Sequence, residues 1–256
     1  MISSSLFPYI LISGALVAVA SGLVGSFLIL RRMALMSDAL SHVALPGIAL
    51  GVLFHFSPIW GGLAFLFFGI LLIWLIEHKT KLATESVTGV LFVTALAIGA
   101  ILIPEQDLLE AFFGSVQGIT LAQSIIQGIV ALGVIFFVLK YLKRLTLFSI
   151  APDLSAAADK SSLFTEFILL ALIAVTIAIG ISFVGVLLIS ALAIIPAATA
   201  RNLADTFTGF VLLSAVLAVF SLVSGLFIGN GYNVSPGIAT VLVSATLFGL
   251  SLFKRN

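Results

Sequence analysis

The chain has 256 residues, 62% of them hydrophobic and 8% charged, with a net charge of +1 and no cysteine. An apolar share this far above the roughly 45–50% of a soluble domain excludes a soluble globular protein and indicates an integral membrane protein. The near-neutral charge gives no footprint for nucleic acid, and the missing cysteines exclude disulfides and thiolate metal sites.

Uncharged runs of about 20 residues recur along the whole chain, as a hydrocarbon core about 30 Å thick requires of helices. A β-barrel would instead show short alternating segments. The expected fold is therefore all-α, a polytopic membrane helix bundle. Membrane-spanning helices are expected at 6–30, 34–55, 58–77, 83–103, 119–139, 162–182, 184–200, 207–229 and 236–253. The first run lacks the basic flank of a signal peptide and is read as a retained span. Five basic clusters set the topology: Arg31 with Arg32, Lys79 with Lys81, Lys140 to Arg144, Arg201, and Lys254 with Arg255. Nine spans with the N-terminus outside and the C-terminus cytoplasmic put all five inside, where such loops stay. The turn within 162–200 is so short that a re-entrant pair, or eight spans, is the competing count. No internal repeat interrupts the chain, so residues 1–256 are read as one domain.

Within the first span Gly14, Ala18 and Gly22 form a stripe of small residues suited to close helix packing. Gly62 and Gly69 are also read as packing positions, and Phe67 and Phe68 as packing or lipid-facing ones. The second span is different, because Asp38 and His42 are ionisable and well inside it. Apart from residues near span ends such as Glu85 and Glu166, they are the only ionisable groups expected at depth. A buried carboxylate there costs several kcal/mol unless it is paired, and so marks function by default. Residues at i and i+4 share a helix face about 6 Å apart, close enough for a carboxylate and an imidazole to meet one cation. Ser41 borders that face and Ser37 precedes it. Two plainer readings stand beside this one: Asp38 could pair with Arg31 or Arg32 near the interface, and His42 could make only a structural hydrogen bond.

One turn further on, Pro46 lacks an N–H, so the carbonyl of His42 loses its helical donor. Gly47 lets the helix bend there. Nitrogen and oxygen donors without sulfur suit zinc or manganese without deciding between them. A protonated imidazole cannot ligate a metal, so transport through such a site would fall as pH drops through the histidine range, about 6.5 when unperturbed. His55 lies near the far end of the same helix and reads as interfacial or as part of a vestibule, and His78 is assigned to the inner loop.

The stretch from Leu142 to Ser162 is read as the longest cytoplasmic loop. In it, Pro152, Asp153 and the alanine-rich run after Leu154 suggest a short helix with proline in its first turn, either a docking lever or a simple connection. No G-x-x-x-x-G-K-[ST] occurs, so a P-loop ATPase would have to be a separate subunit. Nothing suggests covalent catalysis or a permanently bound cofactor.

The run from Leu30 to Gly51, which contains MSDALSHVALPG, resembles the hallmark of the permease subunits of bacterial zinc/manganese ABC importers. The run from Val184 to Arg201 is similar to that family's later signature, and the likeness covers essentially the whole chain. It implies a homodimer in the cytoplasmic (inner) membrane, surrounded by lipid. Two cytoplasmic ABC ATPase subunits would sit below, and an extracytoplasmic metal-binding protein would dock from outside. It implies that Asp38 and His42 pass a zinc or manganese ion as substrate, and that the segment around Pro152, Asp153, Leu154 and Ala157 holds a coupling helix. Ala156 to Lys160 lacks the glycine expected near the end of that segment, which bears on the docking surface. Pro196 would free the carbonyl of Leu192 and with Pro46 and Gly47 furnish a gate or kink, or be a tolerated membrane-helix proline. The reading from another class is a proton-coupled secondary transporter in which Asp38 and His42 relay protons. A membrane scaffold would leave the deep pair unexplained.

Overall fold

The computed structural model describes residues 6–80, 82–102, 119–151, 162–232 and 234–254. They form ten α-helices: α1 (Phe7–Leu30), α2 (Ala34–Leu53), α3 (Pro58–Thr80), α4 (Thr84–Leu102), α5 (Leu121–Lys140), α6 (Leu142–Ile150), α7 (Ser162–Val184), α8 (Val186–Leu203), α9 (Phe207–Tyr232) and α10 (Pro236–Leu252). Among the described residues there is no strand. Seven helices, α1 to α5, α7 and α9, are long and apolar enough to cross a membrane, whereas α8 and α10 are apolar over shorter stretches. Each expected span thus has a helix, and seven of the nine are long and apolar enough to cross a membrane.

Lipid tails are as apolar as leucine, so membrane helices associate through close backbone approach and interhelical hydrogen bonds. The central helix α1 illustrates both. A Cβ on Gly22 would strike the backbone of Ser214 and Ala215 on α9, and one on Gly25 would strike the Ala193 carbonyl on α8. The Ser214 hydroxyl donates to the Gly22 carbonyl at 2.7 Å. Near the other end of α1, Ser13 and Ser124 of α5 share a hydrogen bond of 2.7 Å. The stripe of Gly14, Ala18 and Gly22 is accordingly buried. On α3, Gly62 and Gly69 receive Ile48 and Val43 of α2, while Phe67 and Phe68 point outward.

The junction between α7 and α8 is a single residue, Gly185, at φ 88°. There the chain turns sharply, so that a Cβ on Gly180 would meet Ile189. The stretch from Leu142 departs from the expected loop, because its first nine residues form α6. Leu145, Phe148 and Ser149 are buried on one side while Lys143 and Leu147 are exposed, a helical period the basic residues masked. Pro152, Asp153, Leu154 and Ala157 lie outside the described residues, as do the acidic connection at 104–107 and Asn233.

Candidate functional site

Helix α2 is bounded at both ends by the same device. At the end of α1, Met33 N–H donates to the Leu28 carbonyl and Arg32 N–H to that of Ile29, with Arg32 in the left-handed region at φ 58°. At the end of α2, Phe56 N–H donates to the Gly51 carbonyl and His55 N–H to that of Val52, with His55 at φ 55°. These are the paired bonds of a Schellman cap, with a bulky residue in the left-handed position that glycine usually takes. His55 is therefore the residue that turns the chain from α2 into α3, and its side chain is exposed. His78 falls within the last turn of α3.

Between these caps, α2 runs without interruption through Pro46. Its glycine next door has a packing reason: a Cβ on Gly47 would collide with the Gly61 carbonyl on α3, and one on Gly61 with the Gly47 carbonyl. The two backbones touch where neither residue carries a side chain. Pro196 likewise sits inside a continuous α8.

Asp38 is half-buried and His42 is 5% exposed, one turn apart on this helix. The Asp38 carboxylate accepts a hydrogen bond at 2.8 Å from the hydroxyl of Ser190, which α8 delivers from 152 residues away. The His42 imidazole meets the Phe92 ring of α4 edge-on, with centroids 4.9 Å apart, and its Nδ1 is buried without a hydrogen-bond partner. Ser41 does not face the pair, since its hydroxyl donates back to the Asp38 carbonyl at 2.7 Å. Ser37 is fully buried.

Asp38 also lines a cavity of about 710 Å³ that opens at the junction of α1 and α2. Phe92 lines the same cavity, so its ring touches both that space and the imidazole. Arg31 forms part of the wall and is held in place: its guanidinium stands 4.3 Å over the Phe148 ring and donates to the Phe148 carbonyl at 3.3 Å. Helix α6, which runs up to the 152–161 segment, is thereby fastened to the turn that starts α2.

A carboxylate that lines a cavity and, one turn further on, a buried imidazole nitrogen without a partner offer oxygen and nitrogen, the donor types that a small cation takes. Among the described residues no group of three or more His, Cys, Asp or Glu could hold a metal. Reading the sequence overlooked Ser190, although it lies in the quoted 184–201 run. No local signal separates it from the other serines buried in the bundle.

Known proteins are similar to this chain along nearly its whole length. The model of the ABC 3 transport family matches residues 5–255. The high-affinity zinc uptake system membrane protein ZnuB of Haemophilus influenzae is 32% identical over 257 residues, covering 98% of both chains. The manganese import system permease protein ScaB of Streptococcus gordonii is 36% identical over 250 residues, covering 95% of this chain and 89% of its own. Among solved structures, PsaBC from Streptococcus pneumoniae in complex with Fab superposes with a TM-score of 0.88 at 30% identity, covering 99% of this chain and 94% of that one.

Proposed function

The chain belongs to the ABC 3 transport family, and from that premise we propose that it is the permease subunit of an ATP-driven importer of zinc or manganese. It is a multi-pass protein of the bacterial cytoplasmic membrane. It carries no P-loop, so ATP hydrolysis falls to a separate cytoplasmic ABC ATPase, and the ion is delivered by an extracytoplasmic metal-binding protein. The metal is substrate, not resident cofactor. Two copies of this chain, each a single domain of nine spans with the N-terminus outside, form the pathway.

In this reading Asp38 and His42 hold the ion in passing. The observation that carries it is the pairing of Asp38 with Ser190: a half-buried carboxylate in the second turn of α2 is aimed by a hydroxyl from α8 and opens onto a cavity. Two side-chain donors make a weak site, which suits conduction, because an ion must leave as readily as it enters. The segment containing Pro152, Asp153, Leu154 and Ala157 couples the ATPase to the bundle, and α6 carries that motion to the start of α2 through Arg31. Pro46, Gly47 and Pro196 mark where α2 and α8 adjust as the path alternates. A proton-coupled carrier is the weaker reading, since membership of an ABC family points to ATP as the energy source.

Uptake into proteoliposomes tests this. The chain reconstituted with its ATPase and binding protein is expected to accumulate zinc or manganese only when ATP is supplied. Accumulation by the chain alone under a proton gradient would replace the proposal with the secondary carrier.

A further inference from the structure

Asp38 is open to the cavity at the start of α2, and His42 is closed to it. The carboxylate lines that space of about 710 Å³, whereas the imidazole, one turn further along, is 5% exposed and its Nδ1 is buried without a partner. Phe92 of α4 belongs to both places. Its ring meets the imidazole edge-on at a centroid distance of 4.9 Å, and the residue forms part of the cavity wall. An edge-to-face pair is a modest attraction, which a working cycle can break and remake.

The ring has a second place to go. A helical side chain takes one of two χ1 wells and covers the turn before its own Cα, which for Phe92 contains Gly89. Gly89 lines the same cavity, and among the described residues a Cβ placed on it meets nothing within 4 Å. Gly47 and Gly61 lack a Cβ because a neighbouring backbone takes its place. No such neighbour accounts for Gly89, and a glycine inside a helix is unfavourable by itself. What it preserves is open space beside Phe92. A closed cavity of about 150 Å³ accepts a benzene, so about 710 Å³ takes a phenyl ring with room left for an ion. The helix that carries the ring is also the least buried of the seven long ones, and it packs chiefly on α2 and α3.

We propose that Phe92 is the inner gate of the ion path. With its ring on the imidazole, His42 is sealed from the cavity. With the ring turned over Gly89, the ion passes from His42 to Asp38 and out on the ATPase side. This gate rests on the importer reading and adds to it the residue that keeps imported metal from returning to His42 between cycles.

The chain has no cysteine, so an introduced one reports access to its own position. In inside-out vesicles holding the complete complex without ATP, His42→Cys is treated with a small membrane-impermeant methanethiosulfonate on the ATPase side. Labelling is expected to be slow with Phe92 present. It should rise about tenfold or more when Phe92→Ala is added, because an open state populated at about 0.1–10% becomes the main one. Phe92→Leu should raise it less, and decides by the same readout if Phe92→Ala does not assemble with the ATPase. Val43→Cys is the control, since Val43 faces Gly69 of α3 and should stay unlabelled in every background. With His42 intact, Gly89→Leu fills the space the ring needs and should slow ATP-driven metal uptake several-fold while the complex still assembles. Slow labelling of position 42 in both Phe92 variants, fast labelling with Phe92 present, labelling of Val43→Cys along with it, or native uptake in Gly89→Leu overturns the gate and leaves the importer standing. A native complex that takes up neither zinc nor manganese with ATP overturns the importer itself.

Discussion

Asp38 of α2 and Ser190 of α8 are 152 residues apart in sequence and joined by a hydrogen bond of 2.8 Å. The bond fixes the direction of the carboxylate and ties the two helices that carry the family-like sequence runs. Ser190→Ala removes the donor and leaves the charge. A hydrogen bond to a charged group contributes about 1.5–3 kcal/mol when buried, and less for a half-exposed carboxylate. Metal uptake is therefore expected to fall by up to about tenfold, with Ser190→Thr closer to native, while the complex still assembles. Uptake at the native rate in Ser190→Ala would show that the bond does not position Asp38.

The contact between Gly47 and Gly61 predicts a packing defect. Each lacks a Cβ where the other's carbonyl lies, so a side chain at either forces α2 and α3 apart. Overpacking typically costs about 1–3 kcal/mol. Gly47→Leu should lower the thermal midpoint of the detergent-solubilised permease more than Gly47→Ala, and Gly61→Ala should act like Gly47→Ala. A Gly47→Leu protein as stable as the native would mean that the two helices tolerate separation.

Much of this bundle is legible in the sequence. The first two helices, expected at 6–30 and 34–55, are found at Phe7–Leu30 and Ala34–Leu53, because the charged Arg31 and Arg32 interrupt two long apolar runs. Asp38 and His42 could be singled out because ionisable groups inside a span are expensive. Helix α6 was obscured, since its lysine and arginine suggested a loop although Leu145 and Phe148 supply a buried stripe. Ser190 and Phe92 were out of reach for a different reason. Their part in the site comes from helix crossings between residues far apart in the chain, and no local pattern distinguishes such a serine or phenylalanine from a packing residue. The small residues were correctly read as packing, but their partners, such as Ser214 for Gly22, appear only in three dimensions.

An imidazolium has no lone pair to give a metal, and this sets the direction of a pH effect. Uptake is expected to fall as pH is lowered through the range in which imidazole gains a proton, with the ATPase and binding protein assayed separately over the same range. The residual uptake of His42→Gln should lose that acid limb. A variant that keeps the full acid limb would assign it to another group.

The topology can be read directly, because the chain contains no cysteine and every introduced one is unique. Ser3→Cys is expected to react with a membrane-impermeant maleimide added to intact cells, whereas Lys254→Cys should react only after permeabilisation. Labelling of both from the same side would require an even number of spans.

The central claim is that the ion passes Asp38 and His42, and uptake of radiolabelled zinc and manganese by vesicles carrying the complete complex tests it most directly. Asp38→Ala and His42→Ala are each expected to abolish ATP-dependent uptake of the transported metal while permease and ATPase still copurify. Uptake that survives both substitutions would contradict the account and place the cation path away from α2.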